Sequence, residues 1–232
     1  MDKSIYPVTI AETDDHEAMA VVRRAAKRFE QLNGVAPRIF TGADIKHIEH
    51  KSASFVRAWI WDLVPQDVEM VLYYDWDMLP AQALDRPLTY QDVGQFAAVH
   101  GSGAAHMGNV FPFIKKTGVY FNAGLFVAHR STRPVFERLK AFCALDGGIG
   151  NQLEQIPFNL LMQSECRVEQ LPASWNYMVL RADKTTADAR MIHFTGCMPR
   201  RWRVIDGMMD LLERAEGQRV AETAGQEQSS SG

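Results

Sequence analysis

The 232-residue chain has little of what marks several common classes of protein. It holds three cysteines, Cys143, Cys166 and Cys197, and no CxxC pair. A set so sparse and odd excludes a disulfide scaffold and suits a reducing, cytoplasmic setting. No apolar run approaches the ~18–20 residues of a membrane span. Neither sign of charge dominates, since 25 Lys and Arg against 28 Asp and Glu leave a net charge of −3. That is not the electrostatic footprint of a nucleic-acid binder. "MDKSIYPVTIAETDD" is too acidic and too weakly apolar for a secretion signal. There are no internal repeats. What remains is 47% hydrophobic and 23% charged, the composition of a globular domain long enough to bury a sizeable core.

The periodicity predicts alternating strands and helices. "YPVTIAE" (6–12) reads as a strand. The next stretch places Ala18, Val21, Val22, Ala25, Ala26, Phe29 and Leu32 on one helical face. Asp14 and Glu17 have capping-box spacing at its start, and Asn33-Gly34 supplies the stop. A short strand (37–44) follows, then a helix with Phe55, Val56, Trp59, Ile60 and Leu63 inward. "VEMVLYY" (68–74) is a third strand. This order argues for an α/β fold with parallel pairing. Beyond it lie a strand at 95–99, a strand at 118–130 interrupted at Asn122-Ala123-Gly124, and a helix with Pro134 in its first turn. "NQLEQIPFNLLMQ" is helical, with Pro157 blurring its register. Glycines at 101, 103, 147, 148 and 150 fall in loops, as hinges for lids or as plain turns.

"VLYYDWDMLP" (71–80) is the most informative stretch. An apolar run ends abruptly in Asp75 and Asp77. In an open parallel sheet, ligands sit beyond the carboxyl ends of the strands, where these residues fall. An ionised carboxylate there needs a cation, donors or water. Either the pair holds a hard cation such as Mg²⁺ or Mn²⁺, or Asp77 caps the segment after a strand-end turn.

"VLYYDWDML", "YFNAGLFV", "EQIPFNLL", "LPASWNYM" and "IHFTG" occur in that order. Together they resemble the retaining glycosyltransferases of family 8, over about Val8 to Trp202. The resemblance implies a GT-A fold: a Rossmann-like, mixed and mainly parallel sheet sandwiched by helices. It implies a UDP-hexose donor, a glycan or lipid-linked saccharide acceptor, and Mn²⁺ or Mg²⁺ as cofactor. Asp75, Asp77 and His193 would hold the metal. Asp14 would accept from the base, although His16-Glu17 stands where the family often has Asn-Tyr. Arg57 would contact the nucleotide sugar; read by itself, it is equally an arginine on a solvated helix face. Asn122, with Ala123 and Gly124, would lie at the sugar. Gln155 would sit beside the anomeric carbon, and Glu154 replaces the family's usual Asp. An amide is a poor nucleophile, so retention by same-face attack is implied over double displacement. Gly196 would admit phosphate, and Arg200 or Arg201 would replace the charge of the family's lysine. Trp76, unusual between the two aspartates, is expected to pack in the core.

The resulting division is a domain at 1–202, an amphipathic helix at 203–217 and a disordered tail at 218–232. The helix mixes Trp202, Val204, Ile205, Met208, Leu211 and Leu212 with basic and acidic residues. It either packs on the domain, the reading its carboxylates favour, or touches the inner face of a membrane. The leading expectation is therefore a metal-dependent hexosyltransferase. One alternative is a degenerate module that binds nucleotide or glycan without turnover. Another is a sugar-phosphate nucleotidyltransferase, against which "TIAETDDHEAMA" lacks the usual glycine-rich phosphate loop.

Overall fold

The computed structural model describes residues 5–11, 13–48, 53–84, 95–100, 120–144, 155–179, 188–194 and 201–230. Its centre is a six-stranded sheet. In chain order the strands are β1 (Ile5–Ala11), β2 (Arg38–Thr41), β3 (Met70–Tyr74), then β4 (Met78–Pro80), β5 (Phe96–His100), β6 (Phe121–His129), β7 (Val168–Gln170), β8 (Tyr177–Met178) and β9 (Met191–His193). The large sheet runs β2-β1-β3-β6-β5-β7 and the small one β4-β9-β8. In the large sheet β1 pairs in parallel with β2 and β3, and β5 with β7. β6 is antiparallel to both of its neighbours. The sheet is mixed and mainly parallel, as expected.

β3 shows why its sequence is continuously apolar. Val71 and Tyr73 pack on one face, while Met70, Leu72 and Tyr74 pack on the other. Side chains alternate across a strand, so a strand covered on both sides needs apolar residues at every position. One face is covered by Ile45 of α2 (Gly42–Ile45), by Trp61 of α3 (Ile60–Leu63), by Phe136 and Leu139 of α4 (Arg133–Ala144), and by Phe158 and Met162 of α5 (Gln155–Glu165). The other takes Phe29 of α1 (His16–Asn33) and Trp175.

Several local expectations change. The cap of α1 is Asp15, whose Oδ1 accepts from the amides of Glu17 and Ala18. Asp14 is not the cap. Gly34 closes the helix with φ 72°, a left-handed value that glycine adopts without a Cβ penalty. The segment before α3 is a 3-10 helix, Ala53–Trp59, not an α-helix. Phe55, Val56, Arg57 and Ala58 are all buried there. The arginine is drawn inward.

β6 is continuous, but its register is not. Pairing with β5 steps from Ala98–Phe126 to His100–Phe121. Phe121 and Ala123 share a face with Phe126 and Ala128, so alternation breaks between them. The break falls at the Asn-Ala-Gly expected to interrupt the strand. Bulges of this kind re-aim side chains beside functional sites. Buried Asn159 of α5 steadies the irregularity by accepting from the Phe121 amide at 2.9 Å and donating to its carbonyl at 2.9 Å.

The last helix, α6, spans Arg201–Ser230. It runs past residue 217 and through the segment expected to lack structure. Glutamine, glutamate and alanine there are good helix formers, and Gly217 and Gly225 do not break it. Ile205 and Met209 pack with Val21 and Ala25 of α1 and with Ile192 of the small sheet. Arg24 of α1 reaches Asp206, Asp210 and Glu213 at 2.6–2.7 Å. Arg28, 4% exposed, bonds Glu216 and the carbonyls of Pro80 and Ala81. The apolar face of α6 is thus used against the domain.

Candidate active site

β3 ends at Tyr74 and the chain turns at once, with the amide of Met78 donating to the carbonyl of Asp75 at 3.1 Å. The turn is what lets two carboxylates, too far apart along an extended strand, converge. β4 leads away from it and is paired with β9 by Met78–His193. This register brings a histidine from far along the chain beside the aspartates. One oxygen or nitrogen of Asp75, Asp77 and His193 lies within 4.8 Å of each of the others.

Each carboxylate divides its oxygens between two tasks. Asp75 Oδ1 accepts from the Tyr73 hydroxyl at 2.6 Å and faces Arg57 at 3.1 Å. Asp77 Oδ2 accepts from Arg201 at 2.6 Å. The other oxygens, Asp75 Oδ2 and Asp77 Oδ1, turn towards His193 Nε2, at 3.7 and 3.4 Å. Burial works against the charge on Asp77. The hydrogen bond and charge of His193, with the charge of Arg201, outweigh it and hold the carboxyl below its usual value. Two carboxylate oxygens and an imidazole nitrogen are the hard, mixed donor set that suits Mg²⁺ or Mn²⁺. The residues present therefore fit a divalent ion.

Gly124 shapes the floor of this cluster. A Cβ there would lie 2.4 Å from His193 Cε1, 2.7 Å from Asn122 Oδ1 and 2.8 Å from Asp75 Oδ2. Only glycine lets the β6 backbone approach so closely. The Asp75 amide donates to the Gly124 carbonyl at 2.7 Å, which ties the turn to β6.

The amides beside Gly124 form a connected set. Asn122 Oδ1 accepts from the Gly124 amide at 2.9 Å and from Asn176 Nδ2 at 3.0 Å. Gln155 Oε1 accepts from the Ala123 amide and from Asn122 Nδ2, both at 3.2 Å. Gln155 Nε2 donates to the Tyr120 hydroxyl at 2.5 Å. Asn176 Oδ1 lies 2.8 Å from His193 Nδ1.

Asp75, Asp77, His193, Asn122, Gln155, Arg57 and Arg201 are thus brought together. Arg57 is buried, donates to the Ala123 carbonyl at 2.5 Å and stacks over Tyr73 at 5.2 Å, so it is not on a solvated face. Asp14 is exposed in the turn after β1, at the same edge of the sheet. Trp76 is half-buried against Ala11, Met19, Val22 and Ile39, with the Arg201 guanidinium 4.9 Å from its ring. Glu154, Gly196, Arg200 and the loop glycines lie outside the described residues. Sequence reasoning assigned nothing to Asn176, Asn159, Tyr73 or Tyr120. The first two stand inside "LPASWNYM" and "EQIPFN", and their place in those motifs was the available signal.

The profile of glycosyl transferase family 8 matches residues 11–203. No curated protein sequence matches the chain. Among solved structures, a glycosyltransferase involved in glycosylation of the major capsid of PBCV-1 is similar, with 12% identity and a TM-score of 0.61 over 87% of this chain and 98% of that one. An active-site mutant of LgtC has 16% identity and a TM-score of 0.55 over 87% and 95%. The bifunctional WbbM has 16% identity and a TM-score of 0.54 over 85% of this chain and 46% of its own. At these identities the likeness is one of fold.

Proposed function

The chain belongs to glycosyl transferase family 8, and we propose that it moves a hexose from UDP-hexose to a glycan or lipid-linked saccharide hydroxyl, with retention, in the cytoplasm. The observation that carries this reading is the convergence of Asp75, Asp77 and His193 beside the Asn122–Gln155 amide pair. A divalent ion bound by the three, Mn²⁺ or Mg²⁺, supplies charge stabilisation for a departing diphosphate.

The remaining roles fall to the chain's own side chains. Asp14 accepts from the base at the end of β1. Arg200 or Arg201 meets the diphosphate, where a guanidinium hydrogen-bonds in pairs, and Gly196 gives the phosphates backbone room. Arg57 holds Asp75 at its outer oxygen and adds positive charge beneath the donor. Asn122, Glu154 and Gln155 orient the sugar. Gln155 presents an amide, which positions and stabilises but does not form a glycosyl ester. LgtC, solved with donor and acceptor sugar analogues, has a glutamine in its active site whose change to glutamate defines a mutant. This parallel supports the role given to Gln155.

The test is release of UDP from a panel of UDP-glucose, UDP-galactose and their N-acetyl forms with Mn²⁺, with GDP- and dTDP-sugars as controls. Release from one UDP-hexose, abolished by chelator and by Asp77→Asn, is expected. Metal-dependent UDP binding without release, across donors and candidate acceptors, would support the binding module instead.

A further inference from the structure

Neutral imidazole ligates a cation through whichever nitrogen lacks hydrogen, so a buried histidine ligand is useful only in the right tautomer. The surroundings of His193 decide which one it holds. At the backbone, donor and acceptor are not in question. The Gly124 amide is a donor, so the Asn122 atom 2.9 Å from it is the oxygen. That oxygen also faces Asn176, 3.0 Å away, so the Asn176 atom there is the NH₂ nitrogen. The Asn176 oxygen is then the atom 2.8 Å from His193 Nδ1. An amide oxygen only accepts, so Nδ1 carries the proton. Nε2, which faces Asp75 and Asp77, is then the nitrogen left for a cation. A second backbone donor checks the first link: the Ala123 amide sets the Gln155 oxygen, which accepts the Asn122 NH₂.

We propose that Asn176 is a positioning residue that holds His193 as the Nδ1–H tautomer, with the β6 backbone at Gly124 setting the direction of the whole relay through Asn122. Asn176 and His193 are 4% and 2% exposed, so water does not compete for these bonds. Free neutral imidazole prefers the opposite tautomer, with its proton on Nε2. That form would point an N–H at the two carboxylates and leave no lone pair for a cation. The proposal rests on the assignment of Asp75, Asp77 and His193 as cation ligands. It adds a partner behind the histidine, of the kind whose loss typically costs ~10–100-fold in metal affinity.

The first experiment uses the metal-free full chain labelled with ¹⁵N-histidine. Long-range ¹H–¹⁵N spectra separate the two tautomers, and His193→Ala identifies the signal among seven histidines. His193 should show a proton on Nδ1. A bare Nδ1, with the proton on Nε2 alone, overturns the proposal without any variant of Asn176. The second experiment titrates Mn²⁺ by the electron paramagnetic resonance of the free ion. Asn176→Ala removes the acceptor and should weaken Mn²⁺ about 10–100-fold. Asn176→Asp keeps an oxygen for Nδ1–H but loses the NH₂ that Asn122 uses. It should bind Mn²⁺ close to parent strength while turnover falls. Parent-like affinity in the alanine variant, or equal loss in both, would overturn the role given to the Asn176 oxygen. Should the parent itself bind no divalent ion, the cation assignment fails, and the tautomer still decides whether Asn176 orients His193.

Discussion

Gly124→Ala is the smallest change that reaches the whole site at once. The backbone tolerates it, because Gly34 is the one glycine with positive φ among the described residues, and Gly124 adopts no such angle. The effect comes from one methyl group. Its carbon would start 2.4 Å from His193 Cε1, where ordinary contact begins at 3.4 Å, so the ring or the strand must yield about 1 Å. The ring has little room to retreat. It is 2% exposed, and Nδ1, next to the clashing carbon, is held by Asn176. The same methyl meets Asn122 Oδ1 and Asp75 Oδ2 at 2.7 and 2.8 Å, so relief in one direction is blocked by another ligand. Overpacking of this kind costs about 1–3 kcal/mol of stability. Displacement of reacting groups by ~1 Å costs about 10²-fold in turnover. Denaturant unfolding, Mn²⁺ titration and UDP release on the same samples measure the three consequences. The expected outcome is a folded protein with at least about tenfold weaker Mn²⁺ binding and a larger loss of turnover. Parent-like Mn²⁺ affinity and turnover in a folded variant would refute the claim that β6 sets the ligand geometry through this glycine.

Gly207→Ala is the matching control, since nothing lies within 4 Å of a Cβ there. It sits inside α6 and should stabilise the protein by about 0.5–1 kcal/mol in denaturant unfolding, with UDP release unchanged. Arg28→Ala should cost about 2–3 kcal/mol, because it strips two buried carbonyls, of Pro80 and Ala81, of their donor. Arg24→Ala, on three half-exposed carboxylates, should cost roughly 1 kcal/mol or less and less again at high salt. Asp44 is held below its usual pKa by hydrogen bonds from the Thr41 amide and hydroxyl. Its folded value is the lower one, so its stabilising effect is present above the unfolded value of about 3.9 and is lost as pH falls through the lowered one. Asp44→Ala should therefore cost about 0.5–2 kcal/mol at neutral pH, and the gap from parent should close in acid. A gap that persists there would refute the assignment.

The fold was legible because its strongest signals are local. Val71 to Tyr74 cannot form a half-exposed strand, and a run apolar on both faces demands a covered sheet. The cluster of Asp75, Asp77 and His193 was legible for a different reason. Asp75 and Asp77 are readable as a pair, but His193 is not, since nothing between residues 78 and 192 says that β4 pairs with β9. Only its flanking Phe194-Thr195-Gly196, matched to a family pattern, singled it out. The helix expected from Phe55 to Leu63 is a 3-10 helix over Ala53–Trp59 followed by an α-turn at Ile60–Leu63, and apolar spacing neither separates the two nor registers a buried arginine. Arg57 looks solvated until Asp75 and the Ala123 carbonyl are placed beside it.

The residues that escaped notice share one property. Asn159 and Asn176 are uncharged, and an asparagine in a sequence carries no sign of what its two ends will meet. Asn159 replaces strand partners where β6 breaks register, and the break is a property of two strands at once. Asn176 acts on a histidine that is close only after the small sheet forms. A charged ligand announces itself because burying it needs a reason. An amide is cheap enough to bury that its presence asks for none, yet it has a direction, and direction is what the site requires. The proposed cation site therefore depends on polarity transmitted from a strand backbone: Gly124 to Asn122, Asn122 to Asn176, Asn176 to the imidazole. A glycine required for space and a glycine amide required as the first donor are the same residue, so the bulge that breaks β6 both opens the site and orients it.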